Sequence, residues 1–400
     1  MIKTKHKSNI FDKVFFLLML SLGFGIFTID TFFSIKPYMF VLILIFLILM
    51  LTKKRKIENI KFYEIMYVFY IAFCCITVFF AENAFQSLRY ILGMIIMLVC
   101  YFGTRELLNN ISKNKVINII NNVNIVLAIV TLIYYGYGIL SLGFNFSGNG
   151  VIRYGVMLDR NIPRLVSFAS SDPNITCFIF TLFLFFNLFN IKEKKCKLGF
   201  ILTLLIIILT FSRGAYVAFV VTFIFYFLLK SKFNIQKMLP KIIKIGFLAI
   251  LGMLLLNWIT NGFVLDMIRT RMIDSSDGGS GRVVLWQNAL ALFKTNPILG
   301  IGLNNLYFDL GNVYVHNTLL QVLVETGLLG FLIYIIFILG VCYHSYKLYK
   351  YDNANSIFLC ITVCMIIQMF FLSILIQEAF FIYLAIFHRF LIKDGGKEKA

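Results

Sequence analysis

The sequence predicts an all-α, polytopic integral membrane protein, and three observations support this prediction. Of the 400 residues, 60% are hydrophobic and only 14% are charged, and the mean hydropathy is +0.89. Uninterrupted apolar runs approach about 20 residues, the length that a helix needs to cross a bilayer. The chain holds 45 Phe but only 5 Pro, which favours straight helices. We therefore expect a single membrane domain, residues 1–400, with one long extracytoplasmic loop, residues 263–321, that contains short helices.

About twelve transmembrane helices account for the apolar runs. Some are shorter than the bilayer is thick, which tilt and local bilayer thinning allow. The first run lacks a small-residue cleavage site and further runs follow it, so we interpret it as an anchor rather than a signal peptide. The predicted limits are 14–33, 37–52, 63–80, 87–103, 116–140, 174–190, 198–211, 214–229, 245–262, 322–344, 355–374 and 376–392.

The basic residues predict the orientation of these spans. With both termini in the cytoplasm, 27 of the 37 Lys and Arg residues lie in cytoplasmic segments, as the positive-inside rule requires. The same rule accounts for the formal net charge of +19. No DNA- or RNA-binding pattern accompanies this charge, so we expect the lipid bilayer, and no nucleic acid, as a partner.

The kind of basic residue differs between the two faces. Only 3 of the 27 cytoplasmic basic residues are Arg, but 8 of the 10 outer ones are. Arg pairs bidentately with phosphate oxygens, so this asymmetry indicates a phosphorylated or otherwise anionic ligand outside. Anchoring to lipid headgroups and helix capping are the alternative interpretations. The outer basic residues are Lys36, Arg89, Arg153, Arg160, Arg164, Arg213, Arg269, Arg271, Arg282 and Lys294.

Residues 141–174 form the first of two outer loops that stand out. This loop contains Arg153, Arg160 and Arg164, which we take as candidate substrate-binding residues. Asp172, Pro173 and Asn174 precede an apolar run, so we expect a turn followed by a helix that Asn174 caps.

The second loop contains a short amphipathic helix. Arg282, Trp286, Ala289 and Phe293 recur at helical spacing, and Asn296-Pro297 ends the pattern. Arg282 lies in the first turn, after the glycine-rich stretch 277–281, where free backbone N–H groups also favour an anion. Binding of Arg282 to lipid phosphate is the alternative.

His316 is the one histidine that this topology places outside. Its ordinary pKa, about 6.5, suits general acid–base chemistry or phosphate binding near neutral pH. Incidental capping of the helix that follows is the alternative. Arg213 lies in the tight outer turn between two spans, where its charge can also reach the membrane interface.

The sequence lacks the residues that several other kinds of active site require. One outer histidine and no outer cysteine cannot form a conventional zinc cluster. Asp274-Ser275-Ser276-Asp277 is not the paired Asp-x-Asp of metal-dependent glycosyltransferases, and the chain has no P-loop. We therefore expect no metal and no cofactor.

Taken together, the outer segments resemble the O-antigen ligase / O-antigen polymerase family of bacterial membrane glycosyltransferases. The resemblance covers roughly Arg164 to Gly340. Order, spacing and shared outer placement make the set specific, although each motif is weak alone. The matching segments are Asp172-Pro173-Asn174, Ser212-Arg213-Gly214, Gly281-Arg282 followed by Trp286, Asn296-Pro297-Ile298-Leu299-Gly300-Ile301-Gly302, His316-Asn317, and Glu325-Thr326-Gly327 with Gly330.

The resemblance implies transfer of an oligosaccharide from undecaprenyl diphosphate to a sugar hydroxyl at the outer face of the bacterial cytoplasmic membrane. It also implies that Arg213, Arg282 and His316 are the functional residues. We take Asp172, Asn174, Trp286 and Asn317, together with the three loop arginines, as candidate substrate-binding residues. A surface-polysaccharide polymerase of O-antigen or capsule type is the preferred hypothesis. The alternatives are a ligase, which uses a different acceptor such as lipid A-core, and a lipid-linked glycan transporter or flippase.

Overall fold

The computed structural model describes residues 9–31, 33–52, 59–232, 234–259, 262, 265–266, 269 and 281–392. Residues 277–280 of the glycine-rich stretch, and most of the loop before them, lie outside this description. The described residues are mostly helical. In chain order the α-helices are α1 Ile10–Ser21, α2 Pro37–Thr52, α3 Phe62–Thr77, α4 Ala84–Leu108, α5 Lys113–Ser141, α6 Pro173–Phe189, α7 Lys194–Leu209, α8 Arg213–Lys230, α9 Ile235–Ile259, α10 Arg282–Thr295, α11 Asn305–Asp309, α12 Thr318–Tyr351, α13 Ser356–Met369 and α14 Glu378–Leu391.

Each predicted span overlaps one of these helices, and the chain is a multi-pass membrane protein. Five of the described helices are long and apolar enough to cross a bilayer: α3 with the 3₁₀ turn that follows it, α4, α5, α8 and α12. Shorter apolar helices include α2, α6 and α13. The number of twelve crossings and the placement of both termini in the cytoplasm stay predictions.

The first predicted span, 14–33, is wrong at its C-terminal end. Helix α1 stops at Ser21, a 3₁₀ turn covers Leu22–Phe24, and residues Ile29–Asp30 (β1) pair antiparallel with Ser34–Ile35 (β2). Gly23 and Gly25 weaken the helix here. The helix therefore gives way to a hairpin, and the first strand of this hairpin ends at the exposed, polar Asp30.

A three-stranded antiparallel sheet also departs from the all-α prediction. It consists of β3 (Val151–Arg153), β4 (Val156–Asp159) and β5 (Ile162–Leu165), in that spatial order. Residues of β5 are buried throughout, whereas β3 is an exposed edge strand. The sheet therefore presents one covered strand, β5, to the helices.

The hydrophobic core is centred on α6, α13 and α14. Every residue of α14 is buried, as are most residues of α6 and α13. A helix that is apolar on all sides is stable only when other helices surround it. Helices α4, α7, α8 and α12 pack around this centre, and the site described next lies where α6, α7 and α8 meet.

Helix α12 contains a break that receives the loop after α10. Gly327 adopts a non-helical conformation, with φ 63° and ψ −170°. The freed backbone groups bond to the loop: Leu328 N–H donates to the Pro297 carbonyl at 2.8 Å, and Gly302 N–H donates to the Glu325 carbonyl at 2.9 Å. Two segments that are separate in sequence, 296–302 and 325–327, therefore interlock through their backbones and fix the position of α10 over α12.

Candidate active site

Arg164 joins three separate segments near the end of α7 and the start of α6. It lies on β5 with only 8% of its surface exposed. Its Nε donates to the carbonyl of Thr210 at 2.9 Å, its Nη1 contacts Asp159 Oδ2 at 3.0 Å, and its Nη2 donates to Asn174 Oδ1 at 3.2 Å. The guanidinium thus connects the sheet to the end of α7 and the beginning of α6. Arg164 has a structural role that the sequence does not reveal.

Asp172, not Asn174, caps helix α6. The Asp172 carboxylate accepts hydrogen bonds from the backbone N–H of Asn174 at 2.7 Å and from its side-chain amide at 2.9 Å. Because Pro173 occupies the first helical position, the cap is Asp172, and Asn174 lies two residues after it, inside the helix. The prediction that Asn174 caps the helix is therefore wrong.

The Asn174 side chain is instead part of the site. Its Oδ1 accepts a 2.6 Å hydrogen bond from Ser212 Oγ as well as the bond from Arg164. Ser212 precedes Arg213, the first residue of α8. Phe211 has a positive φ of 49°, a conformation that is rare for bulky residues and that a tight turn imposes. This turn and the bond to Asn174 direct Arg213 toward Arg164.

A cavity of about 270 Å³ brings the arginines together. Arg164, Arg213 and Arg282 line it, with Asp159 as the one carboxylate among its described lining residues. Asn174 and Trp286 complete the polar part of the wall. Three cations against one anion leave an excess of positive charge, which suits a multiply charged anion.

Arg282 reaches this cavity from the first turn of α10. The helix rests on a small apolar cluster through its inward face, which includes Trp286 and the fully buried Ala289. Burial lowers the pKa of Arg282 from its ordinary value, and the positive charges of Arg213 and Arg164 lower it further, while Asp172 opposes this effect. Among the described residues, none accepts a hydrogen bond from Arg282. The arginines therefore repel one another, and an anion between them relieves that repulsion.

His316 lies beside Arg282, just before α12. The Trp286 indole Nε1 donates to the carbonyl of Val315 at 3.0 Å, so the helix that carries Arg282 is tied to the residue before His316. His316 has a positive φ of 52°, an uncommon conformation for a non-glycine residue. Burial lowers the pKa of His316, the charge of Arg282 lowers it further, and Asp172 raises it. The imidazole is therefore neutral at neutral pH.

Residues 198–335 match the family model described as O-antigen ligase. These residues belong to the O-antigen ligase family. No curated protein matches the chain. The O-antigen ligase region includes Arg213, Arg282 and His316, the three residues that the resemblance implied. It indicates a glycan transferase of surface-polysaccharide processing that acts on a lipid-linked glycan in a membrane.

Five of the predicted site residues do not line the arginine cavity, and His316 and Asp172 are two of them. Arg153 lies on the edge strand β3 and Arg160 in the turn between β4 and β5; both are exposed, and neither lines the cavity. Asn317 is the N-cap of α12, and its Oδ1 accepts a 3.0 Å hydrogen bond from the backbone N–H of Leu320. Their assignment to substrate binding stays a prediction.

Asp159 is a site residue that the sequence analysis missed. Its carboxylate lines the cavity and pairs with Arg164. The signal available was weak, because Asp159 is one of two acidic residues in a loop that also contains three arginines. Across the described part of the chain, no group of three or more His, Cys, Asp or Glu side chains is arranged to hold a metal ion.

Proposed function

We propose that this protein transfers an oligosaccharide from undecaprenyl diphosphate to a sugar hydroxyl, at the extracytoplasmic face of the bacterial cytoplasmic membrane. One observation carries the proposal: Arg164, Arg213 and Arg282, which come from three distant parts of the chain, line one cavity. Within this reaction class we propose polymerisation, in which the acceptor is a second lipid-linked oligosaccharide. The product is then a surface polysaccharide of O-antigen or capsule type.

The arginines provide the site for the diphosphate. Arg213 and Arg282 are the two that we assign to direct contact, because Arg164 already makes three hydrogen bonds to the protein. Guanidinium groups bind phosphate oxygens bidentately. They also stabilise the negative charge that develops on the diphosphate as it leaves, without requiring a metal ion. Arg164 holds the surrounding segments and adds to the positive potential.

His316 is the group that we assign to the acceptor. In the proposed step the acceptor oxygen forms a bond to the anomeric carbon of the donor sugar. The bond between that carbon and the phosphate oxygen breaks, and undecaprenyl diphosphate leaves with the electron pair. The proton of the acceptor hydroxyl passes to His316. A lowered pKa keeps the imidazole unprotonated and ready to accept that proton.

Reconstitution tests the proposal directly. Purified protein in proteoliposomes is given undecaprenyl-diphosphate-linked repeat units in the presence of EDTA, and the products are separated on a gel. We expect a ladder of glycan lengths and release of undecaprenyl diphosphate. Products that form only when lipid A-core is added would correct the acceptor to that of a ligase. Passage of the substrate across the bilayer, with no new glycosidic bond, would overturn the transferase assignment.

A further inference from the structure

A second and larger cavity lies beside the segment that leads to His316. Its volume is about 560 Å³, within the range of roughly 300–1,000 Å³ that is usual for small-molecule sites. Its walls come from the hairpin β1–β2, α2, α4, α11 with the loops on either side of it, and the start of α14. It shares no lining residue with the arginine cavity, so it is a separate binding volume.

Aromatic rings form one wall of this larger cavity. The rings of Tyr307 and Tyr314 lie 4.7 Å apart between centroids, and those of Tyr307 and Phe308 lie 5.2 Å apart at a nearly perpendicular angle. Tyr314 is 47% exposed, and Tyr90 lines the cavity from α4. Tyrosine combines a flat apolar face with a hydroxyl group at its edge. That combination suits a ligand with both apolar C–H faces and hydroxyl groups, as a sugar ring has.

Polar groups with fixed positions complete the lining. Asn304 and Asn312 both have positive φ values, 61° and 63°, so the backbone sets their orientation. Lys36 pairs with Glu378 at 3.0 Å and Arg89 lies nearby, which leaves a formal excess of one positive charge. Amide and charged groups of this kind donate and accept hydrogen bonds to hydroxyls. The lining therefore fits a hydroxyl-rich ligand, neutral or weakly acidic.

The segment 312–316 runs from the larger cavity to the residues around Arg282. Asn312 and Tyr314 line the larger cavity, the Val315 carbonyl bonds to Trp286, and His316 interacts with Arg282. The Cα atoms of Tyr314 and His316, two residues apart, are at most about 7 Å from each other. A ligand against Tyr314 thus lies close to the proposed base.

We propose that the larger cavity is the acceptor site, where the sugar rings of the incoming oligosaccharide pack against Tyr307 and Tyr314. This inference rests on the proposed function, since it assigns a place to the second substrate of that reaction. A donor diphosphate in the arginine cavity and an acceptor glycan in the aromatic cavity then both lie near the segment that carries His316.

Binding of an oligosaccharide that lacks the diphosphate tests the site without requiring catalysis. The probe is the fluorescently labelled repeat unit, released by mild acid from the lipid-linked intermediates of the bacterium that encodes the chain. Its binding to the full chain in nanodiscs is measured by fluorescence anisotropy. We expect Tyr307→Ala and Tyr314→Ala each to raise the Kd roughly tenfold, the effect of losing about 1.4 kcal/mol of ring contact.

Two control variants separate ring packing from loss of the fold. Tyr307→Phe keeps the ring and should bind the probe nearly as tightly as the wild type. Tyr346→Ala removes a tyrosine that is 52% exposed, near the far end of α12, and should leave the Kd unchanged. Excess inorganic pyrophosphate should not displace the probe.

Three results would overturn the acceptor site: a wild type that does not bind the probe, Tyr→Ala variants that bind it as tightly as the wild type, or displacement by pyrophosphate. Glycan transfer is measured separately on the same preparations. If the variants show the expected pattern of probe binding but no glycan is transferred, the result supports the glycan site and overturns the transferase function.

Discussion

The indole Nε1 of Trp286 donates a 3.0 Å hydrogen bond to the carbonyl of Val315. Through this bond the helix that begins with Arg282 is connected to the residue that precedes His316. The Val315 side chain is buried, and Trp286 also lines the arginine cavity. The bond therefore fixes the distance between the group assigned to the diphosphate and the group assigned to the acceptor hydroxyl.

Trp286→Phe should slow transfer without preventing donor binding. The substitution keeps one aromatic ring in the apolar cluster but removes the indole N–H and part of the ring system; loss of the hydrogen bond alone costs about 1 kcal/mol. We expect kcat to fall roughly fivefold and the KM for the donor to change little. The matched control is Trp258→Phe, because Trp258 is the other tryptophan and is 79% exposed on α9. Equal kcat values in the two variants would show that the bond has no role in aligning the site.

Arg164→Ala should destabilise the protein as well as reduce activity. The substitution removes three hydrogen bonds of a buried guanidinium and leaves Asp159 without that partner, so we expect a loss of about 2–4 kcal/mol. Thermal unfolding in detergent measures the change as a lower Tm. Arg153→Ala, on the exposed edge strand of the same sheet, should keep the wild-type Tm. A wild-type Tm for Arg164→Ala would contradict the structural role.

The pH dependence of transfer should report on His316. The base must be neutral, so kcat/KM should fall as pH drops through the pKa of His316. That pKa is lowered by burial and by Arg282, which places the acid limb below the ordinary value of about 6.5. Asp172 opposes the shift. Asp172→Asn removes its negative charge and keeps a residue able to cap α6, so the imidazolium loses stabilisation and the acid limb should move to still lower pH.

The control for this profile is Asp309→Asn. It removes a carboxylate from the short helix α11, none of whose residues line the arginine cavity. Its acid limb should coincide with that of the wild type. A limb that moves to higher pH in Asp172→Asn, or that does not move, would exclude His316 as the titrating base.

Much of the helical framework could be predicted because the length of an apolar run matches the thickness of the bilayer that a helix must cross. The same reasoning failed at residues 22–35, where glycines and Asp30 replace a continuous helix with a turn and a hairpin. Helix α10 could also be predicted, since the spacing of Trp286 and Ala289 and the stop at Asn296-Pro297 are local signals.

The contacts that build the site are non-local and carry no sequence pattern. Arg164 bonds to a backbone carbonyl, at Thr210, that any residue could provide. The break at Gly327 lies inside an apolar run that does not indicate it. The need for glycine at both 300 and 327 comes from their close contact, since a Cβ on Gly300 would lie 2.5 Å from the backbone nitrogen of Gly327. The aromatic cavity draws its residues from four separate stretches of the chain, within 33–39, 86–97, 304–314 and 376–378, so no single stretch of the sequence indicates it.

If Arg282 stabilises the departing diphosphate, its removal should slow the release of undecaprenyl diphosphate, measured as a single-turnover rate in proteoliposomes. Arg282→Ala is compared with Lys294→Ala, which removes an exposed cation from the opposite end of the same helix. We expect a rate roughly 10²–10³-fold lower for Arg282→Ala, as for loss of one donor to a developing anion, and an unchanged rate for Lys294→Ala. Release at the wild-type rate from folded Arg282→Ala protein would contradict this role of Arg282.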